Sequence, residues 1–168
     1  MIIHGKNKEM LLPFLIDAVK RLQHTDLIVI PCNTAHIFIE NLRRESEVQI
    51  ISVVEESILE LKGRRYKKVG LLATTSTVQE KLFFDDEIEF LIPERQKEIG
   101  EIIVKAIRSE IQEGDKQKLK EIVDNLERRC DTIFLACTDL QLILKGNYTD
   151  SFDILVEAVF DKTRGDEK

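Results

Sequence analysis

Residues 26–32 read Asp-Leu-Ile-Val-Ile-Pro-Cys, and residues 131–137 read Asp-Thr-Ile-Phe-Leu-Ala-Cys. Each stretch begins with Asp, runs through four strand-forming residues, and ends in a small or ring residue followed by cysteine. Polar residues come next, Asn33-Thr34 in one case and Thr138-Asp139 in the other. Short apolar runs with polar borders are the pattern of strands buried on both faces of a parallel sheet. Outward from this pair, Lys68–Ala73 (KVGLLA), residues 48–53 (VQIISV) and residues 88–92 (IEFLI, ended by Pro93) read the same way. Between them lie segments with apolar residues at helical spacing: 9–22, 35–44, 55–62 (stopped near Gly63), 98–111, 116–129 and 152–160. Pro13 fits only near the first turn of its helix. Strands alternating with helices predict an α/β fold of parallel sheets flanked by helices. Gly114-Asp115 reads as the joint between two of those helices, and no Pro- or Gly-rich linker interrupts the chain.

The composition sets the class. The 168 residues are 43% hydrophobic and 33% charged, enough for a packed core and unlike a disordered or low-complexity chain. The 25 Lys and Arg against 31 Asp and Glu leave a net charge of −6, which argues against a nucleic-acid partner. Trp is absent and aromatics are 6%, so a base-stacking surface is not expected either. No apolar run reaches the roughly 18–20 residues that span a bilayer. Residues 1–10 carry charges and no signal-peptide core, and the reading is a soluble, cytoplasmic protein with no membrane partner. The three cysteines, Cys32, Cys130 and Cys137, are an odd number without a secretion signal, which speaks against a disulfide framework. His4, His24 and His36 are scattered, and none forms a metal-ligand spacing with a cysteine pair.

In open α/β sheets ligands bind beyond the carboxyl ends of the strands, where Cys32 and Cys137 both fall. A helix starting just after either cysteine would favour thiolate and lower its pKa. The alternative is that both are ordinary buried cysteines. Cys130 precedes its strand, lacks the polar neighbours, and reads as structural. A third strand end carries Thr74-Thr75-Ser76-Thr77, four hydroxyls suited either to a carboxylate or ammonium group or to a helix N-cap.

Three segments, Ile30-Pro-Cys-Asn-Thr-Ala-His36, Gly70-Leu-Leu-Ala-Thr-Thr-Ser-Thr77 and Ala136-Cys-Thr-Asp-Leu140, resemble the signature segments of aspartate racemases, in the aspartate/glutamate racemase superfamily. The resemblance extends from Gly5-Lys6 to the last helix. It implies two Rossmann-like lobes with the active site between them, here residues 1–52 plus 145–168 and residues 53–144, and a homodimer. It further implies a racemase that needs no pyridoxal phosphate, other cofactor or metal and acts on an amino acid, aspartate or glutamate. One cysteine takes the α-proton as thiolate while the other returns a proton as thiol, the roles swapping with substrate handedness. On that resemblance Cys32 and Cys137 are the two acid/bases. Asn33, Thr34, Thr75, Thr77 and Thr138 hold the substrate's α-carboxylate and ammonium groups. Asp139 stands where the family has Glu and faces the ammonium group. Arg108 takes the side-chain carboxylate, unless it is simply a solvated helix charge.

Departures from the family pattern shape the expectation. Family members open with a strand, a glycine-rich turn, a second strand and a Pro-Asp-Arg-Thr-like segment whose Arg binds carboxylate. This sequence starts beyond that point, so its first lobe is expected to be incomplete at the N-terminus. Ala136 and Ser76 replace glycines, and the stretch 77–93 is short. The expectation is a weak or inactive racemase. Alternatives are a degenerate member that binds a small carboxylate or a protein partner, and a cysteine-dependent isomerase or decarboxylase of dicarboxylates.

Overall fold

The computed structural model describes residues 8–164. His4 and Gly5-Lys6, where the resemblance begins, lie outside the described residues. The chain opens with a 3₁₀ turn (Lys8–Leu11), then runs α1 (Leu12–Arg21), β1 (Ile28–Val29), a 3₁₀ segment (Asn33–Phe38), α2 (Ile39–Arg44), β2 (Ile50–Ile51) and α3 (Val53–Gly63). It continues through β3 (Lys68–Ala73), α4 (Thr75–Gln79), β4 (Glu89–Leu91), α5 (Gln96–Ile107) and α6 (Glu113–Glu127). The last elements are β5 (Thr132–Ala136), α7 (Leu140–Ile143), β6 (Thr149–Asp150) and α8 (Ser151–Arg164). Two parallel sheets form, β1–β2 and a four-stranded sheet in the order β4-β3-β5-β6.

Alternation along the central strands explains the layers. Val69, Leu71 and Ala73 of β3, with Phe134 and Ala136 of β5, face a core shared with Val53, Val54 and Leu61 of α3 and Ile154 and Leu155 of α8. The intervening Leu72, Ile133 and Leu135 face the opposite core, built from Ile99, Ile102 and Ile103 of α5 and Leu119, Ile122, Val123 and Leu126 of α6. Successive strand side chains point to opposite faces, so both faces must be apolar when helices cover both. The pairing Val69↔Thr132 through Ala73↔Ala136 ends both strands level, which places residues 74 and 137 at one edge. The Asp131 carboxylate fixes that register by accepting from the backbone N–H groups of Lys67 (2.7 Å) and Lys68 (2.9 Å). The small sheet packs on its own cluster of Val19, Ile28, Phe38, Leu42 and Ile50. No helix among the described residues is long and apolar enough to cross a membrane.

Three local readings change. The expected helix over 35–44 is 3₁₀ as far as Phe38, a stretch in which Asn33, Thr34 and His36 make side-chain hydrogen bonds. The strand over 48–53 shrinks to two residues, since Ser52 caps α3 by accepting from Glu55 N–H (3.3 Å). Gly114-Asp115 is not a joint. Gln112 caps α6 and the Asp115 carboxylate reaches back to the Gln112 N–H (3.1 Å), so both residues lie in the first turn. Towards the end of the described chain, β6 pairs with β5 in the larger sheet and α8 packs in the core against α3.

Candidate active site

The carboxyl edges of β1, β3 and β5 converge on a cavity of about 160 Å³. From the small sheet come Cys32, Asn33, Thr34 and Ala35; from the large sheet come Thr74, Ala136, Cys137, Thr138 and Asp139. Leu11 and Ile107 supply an apolar rim. The volume suits a small molecule rather than the drug-sized ligands that occupy roughly 300 Å³ or more.

Cys32 is exposed and unbonded, with an extended backbone (φ −140°, ψ 105°) that ends the first strand segment. Its carbonyl accepts from Ala35 N–H (3.1 Å) and lies 2.9 Å from His36 Nδ1. His36 is buried, and burial pushes its pKa below the usual histidine range. The ring is therefore neutral with its proton on Nδ1, donating to the Cys32 carbonyl, while Nε2 is buried without a partner. That bond anchors the backbone that carries the Cys32 thiol.

Cys137 is buried at the end of β5, and its thiol lies 3.7 Å from Asp139 Oδ2. Burial is the main cause that pushes its pKa up to about 12, with the Asp139 carboxylate adding to it. The lowered pKa expected from a following helix is thus reversed here. The backbone N–H of Asp139 favours the thiolate, but desolvation outweighs it. Cys130 lies elsewhere, its thiol donating to the Leu126 carbonyl (3.2 Å).

The hydroxyl turn divides. Thr74 lines the cavity and also caps α4, accepting from Thr77 N–H (3.1 Å). Thr77 is fully buried behind it, within 3.2 Å of Thr34 Oγ1 and 3.0 Å of Thr74 Oγ1. Thr75 turns away to a separate hollow beside Gln96 and Glu101. Arg108 is exposed at the end of α5 and is not on the cavity wall; its neighbour Ile107 is. Adjacent helix positions point about 100° apart, so only one of the two can face the site. Asp139 is the one charged side chain lining the cavity among the described residues. Also among the described residues, no three His, Cys, Asp or Glu side chains gather as a metal-holding group.

Sequence reasoning passed over Ser151. Fully buried at the start of α8, its Oγ accepts from Asn33 Nδ2 (3.0 Å). Asp150-Ser151 ahead of an amphipathic helix was a readable cap signal, and Asp150 does accept from Phe152 N–H (2.7 Å). Its tie to a residue 118 positions away was not readable.

Residues 2–159 match the family model described as Asp/Glu/Hydantoin racemase. The chain is 28% identical over 137 residues to the broad specificity amino-acid racemase RacX of Bacillus subtilis, covering 77% of this chain and 60% of that one. It is 30% identical over 122 residues to a glutamate racemase of Aliivibrio fischeri, covering 67% and 44%. The chain thus spans less than two thirds of the length of these two relatives. The structure of Picrophilus torridus aspartate racemase superposes with a TM-score of 0.81 at 22% identity, over 95% of this chain and 72% of that one.

Proposed function

Because this chain belongs to the Asp/Glu/hydantoin racemase family, we propose that it is an amino-acid racemase in which Cys32 and Cys137 carry the α-proton between opposite faces of the substrate. The observation that supports this reading most directly is that two free cysteines, from strand ends of two different sheets, open on one small cavity. A stepwise inversion needs a base on one face and an acid on the other, without a shared path for the proton. Burial holds Cys137 as the thiol, the form that can give a proton to one face of the substrate. Returning the opposite enantiomer requires the reverse. Asn33, Thr34, Thr74, Thr138 and Asp139 surround the substrate's polar groups, and the apolar rim of Leu11 and Ile107 keeps water from the carbanion. Aspartate and glutamate are the substrates to try first, and a second copy of the chain is the proposed partner.

The test uses the purified chain with L-aspartate, L-glutamate and L-alanine in D₂O. Exchange of the α-proton and loss of optical activity are followed by NMR and polarimetry. Cys32→Ala and Cys137→Ala are each expected to abolish racemisation, lowering it by at least about 10²–10⁴-fold, the usual worth of a positioned acid or base. Racemisation unchanged in both variants would remove the two-cysteine assignment.

One observation favours a second reading, binding with little turnover. None of the described residues on the cavity wall is basic. A dicarboxylate in a desolvated site draws most of its binding from charge-assisted bonds. Aspartate binding without α-proton exchange is the outcome that would select this reading.

A further inference from the structure

Three threonines from two sheets meet behind the cavity. Thr34 Oγ1 lies 2.9 Å from Thr74 Oγ1 and 3.2 Å from Thr77 Oγ1, and Thr74 Oγ1 donates to Thr77 Oγ1 at 3.0 Å. Each hydroxyl has one proton to give. Thr74 spends its proton on Thr77, so the 2.9 Å contact can be made only by Thr34 donating to Thr74. Thr34 has then no proton left for Thr77, and the third contact requires Thr77 to donate to Thr34. The ring closes in one direction, Thr74 to Thr77 to Thr34 to Thr74. Thr74 oxygen also accepts from Thr77 N–H (3.1 Å), which fills both its lone pairs. Thr34 keeps one lone pair and no proton.

We infer that Thr77 is a positioning residue: without reaching the cavity, it fixes the polarity of Thr34 so that this wall offers a hydrogen-bond acceptor and never a donor. The three residues are 0–6% exposed, so water reaches the ring only from the cavity side. Closed hydroxyl rings polarise one another, which holds the direction more firmly than three separate bonds would. The wall then suits a group that donates, and the donor an amino acid brings is its ammonium group. The nearby Asp139 carboxylate on the same cavity adds to that preference. A carboxylate placed against Thr34 would meet lone pair with lone pair. The inference rests on the racemase reading for the identity of the substrate, and deepens it by naming which substrate group Thr34 takes.

Calorimetric titration with two pairs of probes tests it: L-aspartate against succinate, and L-glutamate against glutarate. The members of each pair differ only by the ammonium group. The wild-type chain is expected to bind the amino acid more tightly. In Thr77→Val the ring opens, the Thr34 hydroxyl is freed to turn its proton outward, and amino-acid affinity falls by about 10- to 100-fold, the usual worth of a hydrogen bond to a charged group. Affinity for succinate and glutarate should stay level or rise. Thr77→Ser restores the hydroxyl and the wild-type ratio. Thr34→Val, which removes the acceptor itself, should show the same selective loss, so a Thr77→Val chain that unfolds does not stop the experiment. Equal loss for both members of each pair, or no loss for either, overturns the inference. So does a wild-type chain that does not prefer the amino acids. The α-proton assay keeps the two ideas apart. Exchange with a non-selective Thr77→Val loses the inference alone. Selective binding without exchange keeps it and loses the racemase reading.

Discussion

At the residue scale, His36 carries a measurable signature. Its pKa is lowered, chiefly by desolvation, with Arg43 acting the same way and Glu55 and the Cys32 carbonyl opposing. The unfolded chain takes up a proton near the ordinary value of about 6.5, while the folded chain resists it. The folded state therefore binds fewer protons between its own pKa and 6.5. Stability from His36 is complete above about pH 6.5 and is lost as the pH falls, with a slope of at most about 1.4 kcal/mol per pH unit. His36→Asn keeps a donor for the Cys32 carbonyl and removes the titration. Urea unfolding of both chains between pH 5 and 8 should give a flatter profile for the variant. Identical slopes would mean that the ring is already charged, or bears no differential load.

At the element scale, two glycines in helices make opposite predictions. Gly63, the last residue of α3, has no atom within 4 Å of where a Cβ would sit. Gly63→Ala should stabilise the chain by about 0.5–1 kcal/mol, the helix penalty of glycine. A Cβ on Gly100 in α5 would stand 2.5 Å from Thr75 Oγ1. Thr75 sits in the first turn of α4, next to the capping Thr74, and has little freedom to yield. Gly100→Ala should destabilise, because overpacking costs about 1–3 kcal/mol against the same helix gain of about 1. Denaturant midpoints moving in the same direction for both variants would refute the contrast. The elements legible in the sequence were those with a full pattern. β3 and β5 read as strands because they are apolar on both faces, and α5 and α6 because their apolar stripes run for three or more turns. β6 is Thr149-Asp150 and α7 is four residues, too short for any period to register. In the site, Cys32 and Cys137 could be paired through their repeated contexts. Ile107, one position from Arg108 in helix phase, lines the cavity, as does Thr74, one position before Thr75 in the turn. Ser151 escaped because its role exists only through a contact with a distant segment.

At the scale of the whole molecule, the small sheet has, among the described residues, two strands of two residues each, and large apolar side chains are exposed. Phe14 on α1 is 72% exposed, and Met10 just before it 68%. Uncovered strand edges and apolar groups together favour self-association. Light scattering at micromolar concentration is expected to give twice the chain mass. Phe14→Asp should shift that mass toward the monomer while the circular dichroism spectrum stays the same. A monodisperse wild-type monomer would overturn the dimer.

The inequality of the two sheets bears on how the cavity breathes. Among the described residues, Cys137 follows a strand bonded on both sides within four strands, whereas Cys32 follows a strand bonded to one neighbour through two residue pairs. Local opening requires less free energy where fewer buried contacts and ladder bonds must be given up. The backbone around Cys32 is thus expected to exchange its amide hydrogens sooner than the backbone around Cys137. Thr34 and Asn33 tie the β1–β2 side of the cavity to the larger half through their side chains.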